Sequence, residues 1–318
     1  MSTTIDAGRI PRRSADEIEA PPLTLRQLAW RRFRRHKMAL FGIVVLTLLF
    51  VYSFGGALVF SEAYANYNDT GLILRPPSTE HPYGTDTIGR DILARTIYGG
   101  QISLMIGITA VILEVAVGVM IGAIAGYYAG RIDSLLMRFT EAVLNIPQIF
   151  LLIVMAKFFG GKIPNINLFG RVLSGSVIVI VLIIGLTSWP YLARIVRAQF
   201  LSLKENEFVL AARATGTPAR QIIFRHILPN SVAPIIVSAT LGVANAIGSE
   251  AYISFLGMGV QPPTATWGNM LERAYSYIDK GVPWLWFFPG ILIVLTVLSI
   301  NFVGDGLRDA LDPRSRVV

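Results

Sequence analysis

Residues 102–126 read ISLMIGITAVILEVAVGVMIGAIAG, a stretch in which Glu114 is the only charged residue. Because an α-helix rises 1.5 Å per residue, about 20 apolar residues cross the roughly 30 Å hydrocarbon layer of a membrane. Lipid offers the peptide backbone no hydrogen-bond partners, so such a segment must be helical to satisfy its N–H and C=O groups. The stretch therefore predicts a transmembrane helix.

Five further stretches of similar length and composition follow or precede it. Hydrophobic residues make up 53% of the 318-residue chain and charged residues only 15%, which is far more apolar than an ordinary soluble domain. The polar residues 1–22 show no helical periodicity and are expected to be disordered. We predict an all-α integral membrane protein with six transmembrane helices, near residues 38–60, 102–126, 135–157, 174–196, 232–256 and 284–303.

The basic residues indicate the orientation of the chain. The run WRRFRRHK at residues 30–37 directly precedes the first predicted helix, and lysine and arginine collect in cytoplasmic loops. With the N-terminus inside, 20 of the 28 lysines and arginines face the cytoplasm. The predicted order is a cytoplasmic basic tail (1–37), the first helix (38–60), an extracytoplasmic segment (61–101), a five-helix core (102–307) and a cytoplasmic tail (308–318).

Several classes of function are excluded by the composition. The chain has no cysteine, which rules out disulfides, thiol nucleophiles and cysteine metal sites. Its three histidines, His36, His81 and His226, lie in separate regions without metal-ligand spacing. We predict no catalytic residues and no metal site. The net charge of +8 is explained by basic cytoplasmic loops, and no basic stripe is interleaved with base-stacking aromatics, so nucleic acid is not an expected partner.

The connection between the fourth and fifth predicted helices, residues 197–231, is long and amphipathic. Good helix formers over residues 208–214 precede Gly216, which can cap a helix C-terminus, and Pro218, which ends one. This pattern predicts a short helix, a turn and a second helix leading to Pro229. The small residues of the short helix would leave room for a docked partner on the cytoplasmic face.

The pair Ala211-Ala212, followed by Gly216, resembles the EAA loop of ATP-binding-cassette (ABC) importer permeases. In that family the loop carries a coupling helix that sits in a groove of the ATPase subunit. This chain departs from the pattern at its first position, where Leu210 replaces Glu. The sequence leaves open whether Glu207, three residues earlier, takes over the contacts of the missing carboxylate.

The ending His226-Ile-Leu-Pro229 is similar to that of the dipeptide and oligopeptide permeases in particular. Other blocks resemble the same subfamily in the same order, at residues 81–100, 126–130, 254–270 and 301–313. The additional first helix matches the subfamily's second permease type, and the resemblance spans about residues 25–315. It implies an ATPase-coupling loop formed by Glu207, Ala211, Ala212, Arg213, Gly216, His226, Leu228 and Pro229.

The resemblance implies the type I ABC importer permease fold and a set of partners. A second permease subunit would complete the translocation pathway for di- or oligopeptides or related small solutes, and an extracytoplasmic solute-binding protein would deliver them. The chain has no G-x-x-x-x-G-K-[ST] phosphate loop, so two separate ATPase subunits would bind ATP and Mg, and this chain would hydrolyse nothing and bind no cofactor. The expected location is the plasma (inner) membrane of a prokaryote. Dipeptides, longer peptides, nickel chelates, glutathione and oligosaccharides all remain possible cargoes.

Three carboxylates fall within predicted helices, and two of them, Glu114 and Glu250, are candidates for a role in the pathway. An ionised carboxylate at the membrane centre costs about 2.5–3.5 kcal/mol on the insertion scale, so Glu114 is expected to face protein or water. Its role is a structural hydrogen bond, a place in the pathway or, least favoured, proton coupling. Glu250 is expected to serve either as a gate or pathway residue or as a packing residue. A secondary carrier that moves protons through both is the alternative function; it predicts inverted repeats, of which the sequence shows no convincing sign.

Overall fold

The computed structural model of the protein describes residues 24–159, 161–168 and 171–312. The predicted disordered tail at 1–22 and the end of the C-terminal tail lie outside the described residues. The helices are α1 (Leu25–Arg35), α2 (Lys37–Phe50), α3 (Glu62–Asn66), α4 (Ile92–Tyr128), α5 (Gly130–Leu144), α6 (Gln148–Phe159), α7 (Gly175–Leu203), α8 (Glu207–Ala214), α9 (Ala219–Gln221), α10 (Val232–Phe255), α11 (Trp267–Tyr275) and α12 (Trp284–Leu311). Shorter 3-10 segments lie at Thr70–Leu72, Leu228–Ser231 and Ile278–Lys280, and π-helical turns at Val51–Gly55 and Ile222–Ile227.

The long helices agree with five of the six predicted spans. By length and composition, five helical stretches of the described chain could each cross a membrane. Taken together as one bent span, α5 and α6 are a sixth candidate by the same criteria. The five are Lys37–Gly55, Ile92–Tyr128, Gly175–Leu203, Ala219–Phe255 and Trp284–Leu311.

The third predicted helix, residues 135–157, is not one straight helix. Two helices, α5 and α6, occupy this region, and their axes are bent by 80°. Pro147 stands immediately before α6. Its ring removes a backbone donor and disfavours helical geometry in the residue before it, so the apolar stretch breaks there although its composition reads as continuous.

The helix predicted to begin near residue 102 begins ten residues earlier, so the last ten residues of the predicted extracytoplasmic segment, 61–101, are helical. The Asp91 side chain accepts a 2.7 Å hydrogen bond from the Ala94 N–H and so caps α4 at Ile92. A carboxylate is a favoured N-cap because it satisfies an N–H that has no partner within the helix. A small antiparallel hairpin of β1 (Ile166–Leu168) and β2 (Arg171–Leu173) is a second unpredicted element, with Ile166 opposite Leu173.

Helices α4 and α7 run in the same direction and pack closely through glycines of α4. A Cβ atom on Gly122 would lie 2.5 Å from the Ala193 carbonyl oxygen, and one on Gly126 would lie 2.5 Å from the Phe200 Cβ. Gly118 faces Leu192 in the same way. The four-residue glycine spacing therefore permits close helix packing. We call the end of the molecule at which α4 and α7 finish the loop face, and the other end the opposite face.

The first and last long helices also pack together. Gly42 of α2 approaches α12, where an added Cβ would lie 2.6 Å from the Ser299 carbonyl oxygen. Near the loop face, Phe33 of α1 and Ala39 of α2 are buried with Ala310 of α12. α1 therefore folds back on the end of α12.

On the opposite face, the irregular segment before α4 is held by side chains. Asp86 forms an ion pair with Arg90, with Nη2 and Oδ2 2.6 Å apart. Burial lowers the pKa of the Arg90 guanidinium, and the Asp86 carboxylate opposes that shift. The Tyr83 ring stacks on Phe288 at 3.8 Å, and Trp284 donates to the Thr85 carbonyl at 3.2 Å. The segment is thereby fixed to the start of α12.

We expect Gly122→Ala to destabilise the protein by about 1–3 kcal/mol, because the added methyl group meets backbone that cannot withdraw from it. Gly248 of α10 is the matched control, since a Cβ there meets no described atom within 4 Å. Gly248→Ala should be neutral or stabilising, as alanine is the better helix former. Thermal unfolding in detergent, followed by tryptophan fluorescence, measures both. Equal unfolding temperatures for the two variants would contradict the close packing of α4 and α7.

Candidate functional site

The short helix predicted in the connection between the fourth and fifth spans is present as α8, and it ends as the sequence predicts. Gly216 adopts a left-handed backbone with φ of +76°. Its N–H donates to the Arg213 carbonyl at 3.0 Å, and the Thr217 N–H donates to the Ala212 carbonyl at 3.1 Å. These two bonds form a Schellman motif, which satisfies carbonyls that the helix itself leaves free. Gly216 is thus explained by backbone conformation, and an added Cβ would meet no described atom within 4 Å.

One side of α8 is anchored in the protein. Val209 is fully buried and Ala212 nearly so. They share an apolar cluster with Phe200 near the end of α7 and with Ile222 and Ile227 of the segment that leads to α10. α8 is therefore fixed to the ends of two long helices.

The other side of α8 is exposed. Leu210, the residue that replaces the Glu of the EAA pattern, is 46% exposed, and Phe208 is 40% exposed. Ala211 is exposed beside them, and Glu207 is exposed in the first turn. The helix thus presents an apolar surface with a carboxylate at its N-terminal end, where the helix dipole favours negative charge.

The remaining predicted loop residues are spread along the chain. The Arg213 guanidinium lies 5.4 Å from the centroid of the Tyr127 ring at the end of α4, within range of a cation–π contact. The His226 carbonyl accepts a 2.7 Å bond from the Asn230 side chain. Leu228 is half-buried against the α8 cluster, whereas Pro229 is exposed. The predicted second helix is α-helical only over three residues and continues as π-helical and 3-10 turns.

Beside this segment lies an open cavity of about 390 Å³ that sequence reasoning missed. Phe224, with 61% of its surface exposed, lines it together with Arg220 and Arg225. The available signal was a large aromatic residue between two arginines in an amphipathic stretch. An exposed aromatic side chain flanked by arginines is typical of a protein interface.

Sequence reasoning also missed a bidentate ion pair near the start of the connection at residues 197–231. Arg197 of α7 donates from Nε and Nη2 to the two carboxylate oxygens of Asp133 in the first turn of α5, at 2.5 and 2.6 Å. Such paired bonds fix geometry as well as adding energy. The contact ties the end of α7 to α5, and its residues lie too far apart in sequence for a local motif to indicate it.

Glu250 lies at a junction of three helices. It is fully buried, and it accepts bonds from Ser254 of its own helix at 2.7 Å and from Ser103 of α4 at 3.3 Å. The Ser103 hydroxyl in turn accepts the Trp267 N–H of α11 at 3.2 Å. The bond from Ser103 joins α10 to α4, and Ser103 extends the link to α11, whereas Ser254 lies on the same helix as Glu250.

Glu114 is also buried, on α4 where it faces α10. An added Cβ on Gly242 of α10 would lie 3.2 Å from its carboxylate. The glycine thus makes room for the carboxylate between two helices. This position agrees with the expectation that Glu114 faces protein.

Comparisons with known proteins identify the family. Residues 118–317 match the model of the binding-protein-dependent transport system inner membrane component, and residues 24–77 match the N-terminal transmembrane domain of oligopeptide transport permease C. A putative peptide permease of Brucella suis is 42% identical, with both chains covered completely. The dipeptide transport system permease protein DppC of Bacillus subtilis is 40% identical, over 96% of this chain and 90% of its own.

Among solved structures, an inward-facing form of the MetNI methionine ABC transporter has a TM-score of 0.52. The match covers 67% of this chain and 94% of that one at 20% identity, a likeness of fold. It agrees with the predicted type I importer permease architecture, and the predicted resemblance to peptide permeases is confirmed by the relatives. The chain belongs to the family of inner membrane components of binding-protein-dependent transport systems.

Proposed function

We propose that this chain is one of two permease subunits of an ATP-driven importer for di- or oligopeptides. The observation that carries the proposal is α8, a short, firmly capped helix with one buried and one exposed apolar side. The names of relatives support peptides as the cargo, since the Brucella and Bacillus proteins are described as peptide and dipeptide permeases.

The buried side of α8 provides a route by which force reaches the membrane helices. Val209 packs in one cluster with Phe200 of α7 and Ile227 ahead of α10. Because packed interiors leave little free space, a displacement of α8 moves the ends of both long helices. Closure of the ATPase subunits would switch the pathway between outward and inward access, provided that ATP and the loaded receptor bind the two states with different affinities.

The exposed side of α8 would dock into the ATPase subunit. Leu210 and Phe208 offer apolar area there, and we infer that the facing groove is apolar where the family pattern would place a carboxylate. Glu207 retains a negative charge one turn away. Phe224 and its flanking arginines extend the docking surface beyond α8.

Other subunits would supply ATP binding, the second half of the pathway and the delivery of solute. Two ATPase subunits would bind ATP and Mg, a second permease would form the other half of the pathway, and a solute-binding protein would dock on the opposite face. The basic run at residues 30–37 supports cytoplasmic termini in an inner membrane. No catalytic residue is assigned to this chain.

Affinity purification of the tagged chain from its native membrane tests the assembly. We expect a second six-span permease and two ATPases with Walker motifs to co-purify, as identified by mass spectrometry. An unrelated tagged membrane protein from the same cells controls for carry-over. Recovery of the chain alone, together with proton-driven uptake in vesicles that lack ATP, would instead support a secondary carrier.

Gly216→Val should abolish most ATP-dependent peptide uptake without preventing membrane insertion. A β-branched residue opposes the left-handed backbone by roughly 1–2 kcal/mol, which disturbs the end of α8 and hence its docking. Gly216→Asn is the matched control, since asparagine tolerates this conformation. Uptake by complete transporter in proteoliposomes measures the effect. Normal uptake by the valine variant would contradict the docking assignment.

The orientation can be tested with single cysteines, because the natural chain contains none. Arg34→Cys on α1 and Asp279→Cys before α12 both place a thiol at an exposed position. In right-side-out vesicles a membrane-impermeant thiol reagent should label position 279 at once and position 34 only after permeabilisation. The reverse pattern would overturn the proposed orientation.

A further inference from the structure

Two adjoining cavities lie on the opposite face, between the start of α4, the segment after α10, and α11. Their volumes are about 20 and 240 Å³, and Arg95, Asn269 and Arg273 line both. A single water needs about 10–15 Å³, so the larger cavity has room for a polar group of a ligand.

The wall of the larger cavity is held in shape by hydrogen bonds. The Asn269 side chain donates to the Val260 and Thr264 carbonyls at 3.0 and 2.9 Å. The Gln261 N–H donates to the Ser176 hydroxyl of α7 at 2.9 Å. These contacts fix the segment after α10 against two helices, so the cavity exists before any ligand arrives.

The cavities contain cationic groups without paired carboxylates. Arg95 is only 4% exposed, and its Nη1 donates to the neutral Asn66 side chain at 2.9 Å and to the Ala65 carbonyl at 3.5 Å. Within the described chain, no carboxylate lies within 4.0 Å of the Arg95 or Arg273 guanidinium. A buried charge is costly unless it is paired, so an anionic ligand would stabilise this arrangement.

The acidic residues near the two cavities do not cancel the positive charge of the arginines that line them. Asp86 lines the smaller cavity, but its carboxylate is already bound by Arg90. Glu272 lines the larger cavity from an exposed position. The buried end of the cavity therefore offers guanidinium groups, and its exposed rim offers a carboxylate.

We propose that the larger cavity binds the terminal carboxylate of a peptide on its way from the receptor into the pathway, through Arg95 and Arg273. Guanidinium groups suit this ligand because their planar N–H donors match a carboxylate in two parallel bonds. Glu272 at the rim lies on the side where the cationic amino end of a short peptide would face. The inference rests on the proposed function and adds a ligand subsite to it.

Binding of dialanine to the assembled transporter without its receptor tests the proposal. Saturation-transfer difference NMR in nanodiscs detects weak binding, and dialanine amide, which lacks the carboxylate, is the matched ligand. We expect dialanine to bind and the amide to compete at least about tenfold less well, since a charged hydrogen bond is lost. Arg273→Gln should weaken dialanine binding at least about tenfold and remove the preference for the free acid.

Lys280→Gln is the control variant, because it removes a cation from the same face at an exposed position outside the cavity. It should leave binding unchanged. We choose Arg273 as the test site because replacing it leaves the interior intact, whereas Arg95 is buried. Absent binding, equal competition by the amide, or equal loss in the Lys280 variant would each overturn the proposal.

A failure of the cavity assignment can be distinguished from a failure of the proposed function. Peptide uptake by the complete wild-type transporter is measured with its receptor present. Uptake without carboxylate-dependent binding would overturn the cavity assignment alone, whereas absence of any ATP-dependent peptide uptake would overturn the proposed function. Unchanged dialanine binding with weaker receptor-stimulated ATP hydrolysis in the Arg273 variant would assign the cavity to a carboxylate of the receptor and contradict the proposal.

Discussion

The close approach of α4 and α7 is the contact on which the rest of the protein depends. Three glycines of α4 allow the backbone of α7 to approach within van der Waals distance. Since lipid tails are as apolar as leucine side chains, helices in a membrane associate through such close packing and through hydrogen bonds. The contact places the end of α7 beside the end of α4, so that α8, which is separated from α7 by three residues, starts from a fixed position.

The two faces of the molecule are connected through the same helices. On the loop face, the Asp133–Arg197 ion pair joins α5 to α7, and the apolar cluster that contains Val209 joins α7 to α8. On the opposite face, Glu250 links α10 to α4, and Ser103 extends that link to α11. Contacts on both faces therefore engage the same set of long helices, and the proposed coupling would act through these helices.

Sequence reasoning succeeded where the determinant is local. Apolar length identified the spans, and the Thr-Gly ending identified the cap of α8, because each depends on a few consecutive residues. It failed at Pro147, where an apolar window concealed a break, and at residues 92–101, where a carboxylate cap extends the helix beyond its apolar stretch. The contacts of Glu250, Arg197 and Arg95 join residues distant in sequence, and a single sequence without variation among relatives gives no signal for such pairs.

The packing of α2 against α12 has a consequence for biogenesis. Gly42 and Ala39 of α2 have their partners in α12, which the ribosome makes long after α2. α2 must therefore reside in the bilayer without this native neighbour until α12 has been made. Contacts of such large sequence separation form late and slowly. A chain truncated before α12 would expose this unpaired surface within the membrane, where quality-control proteases could recognise it as unfinished.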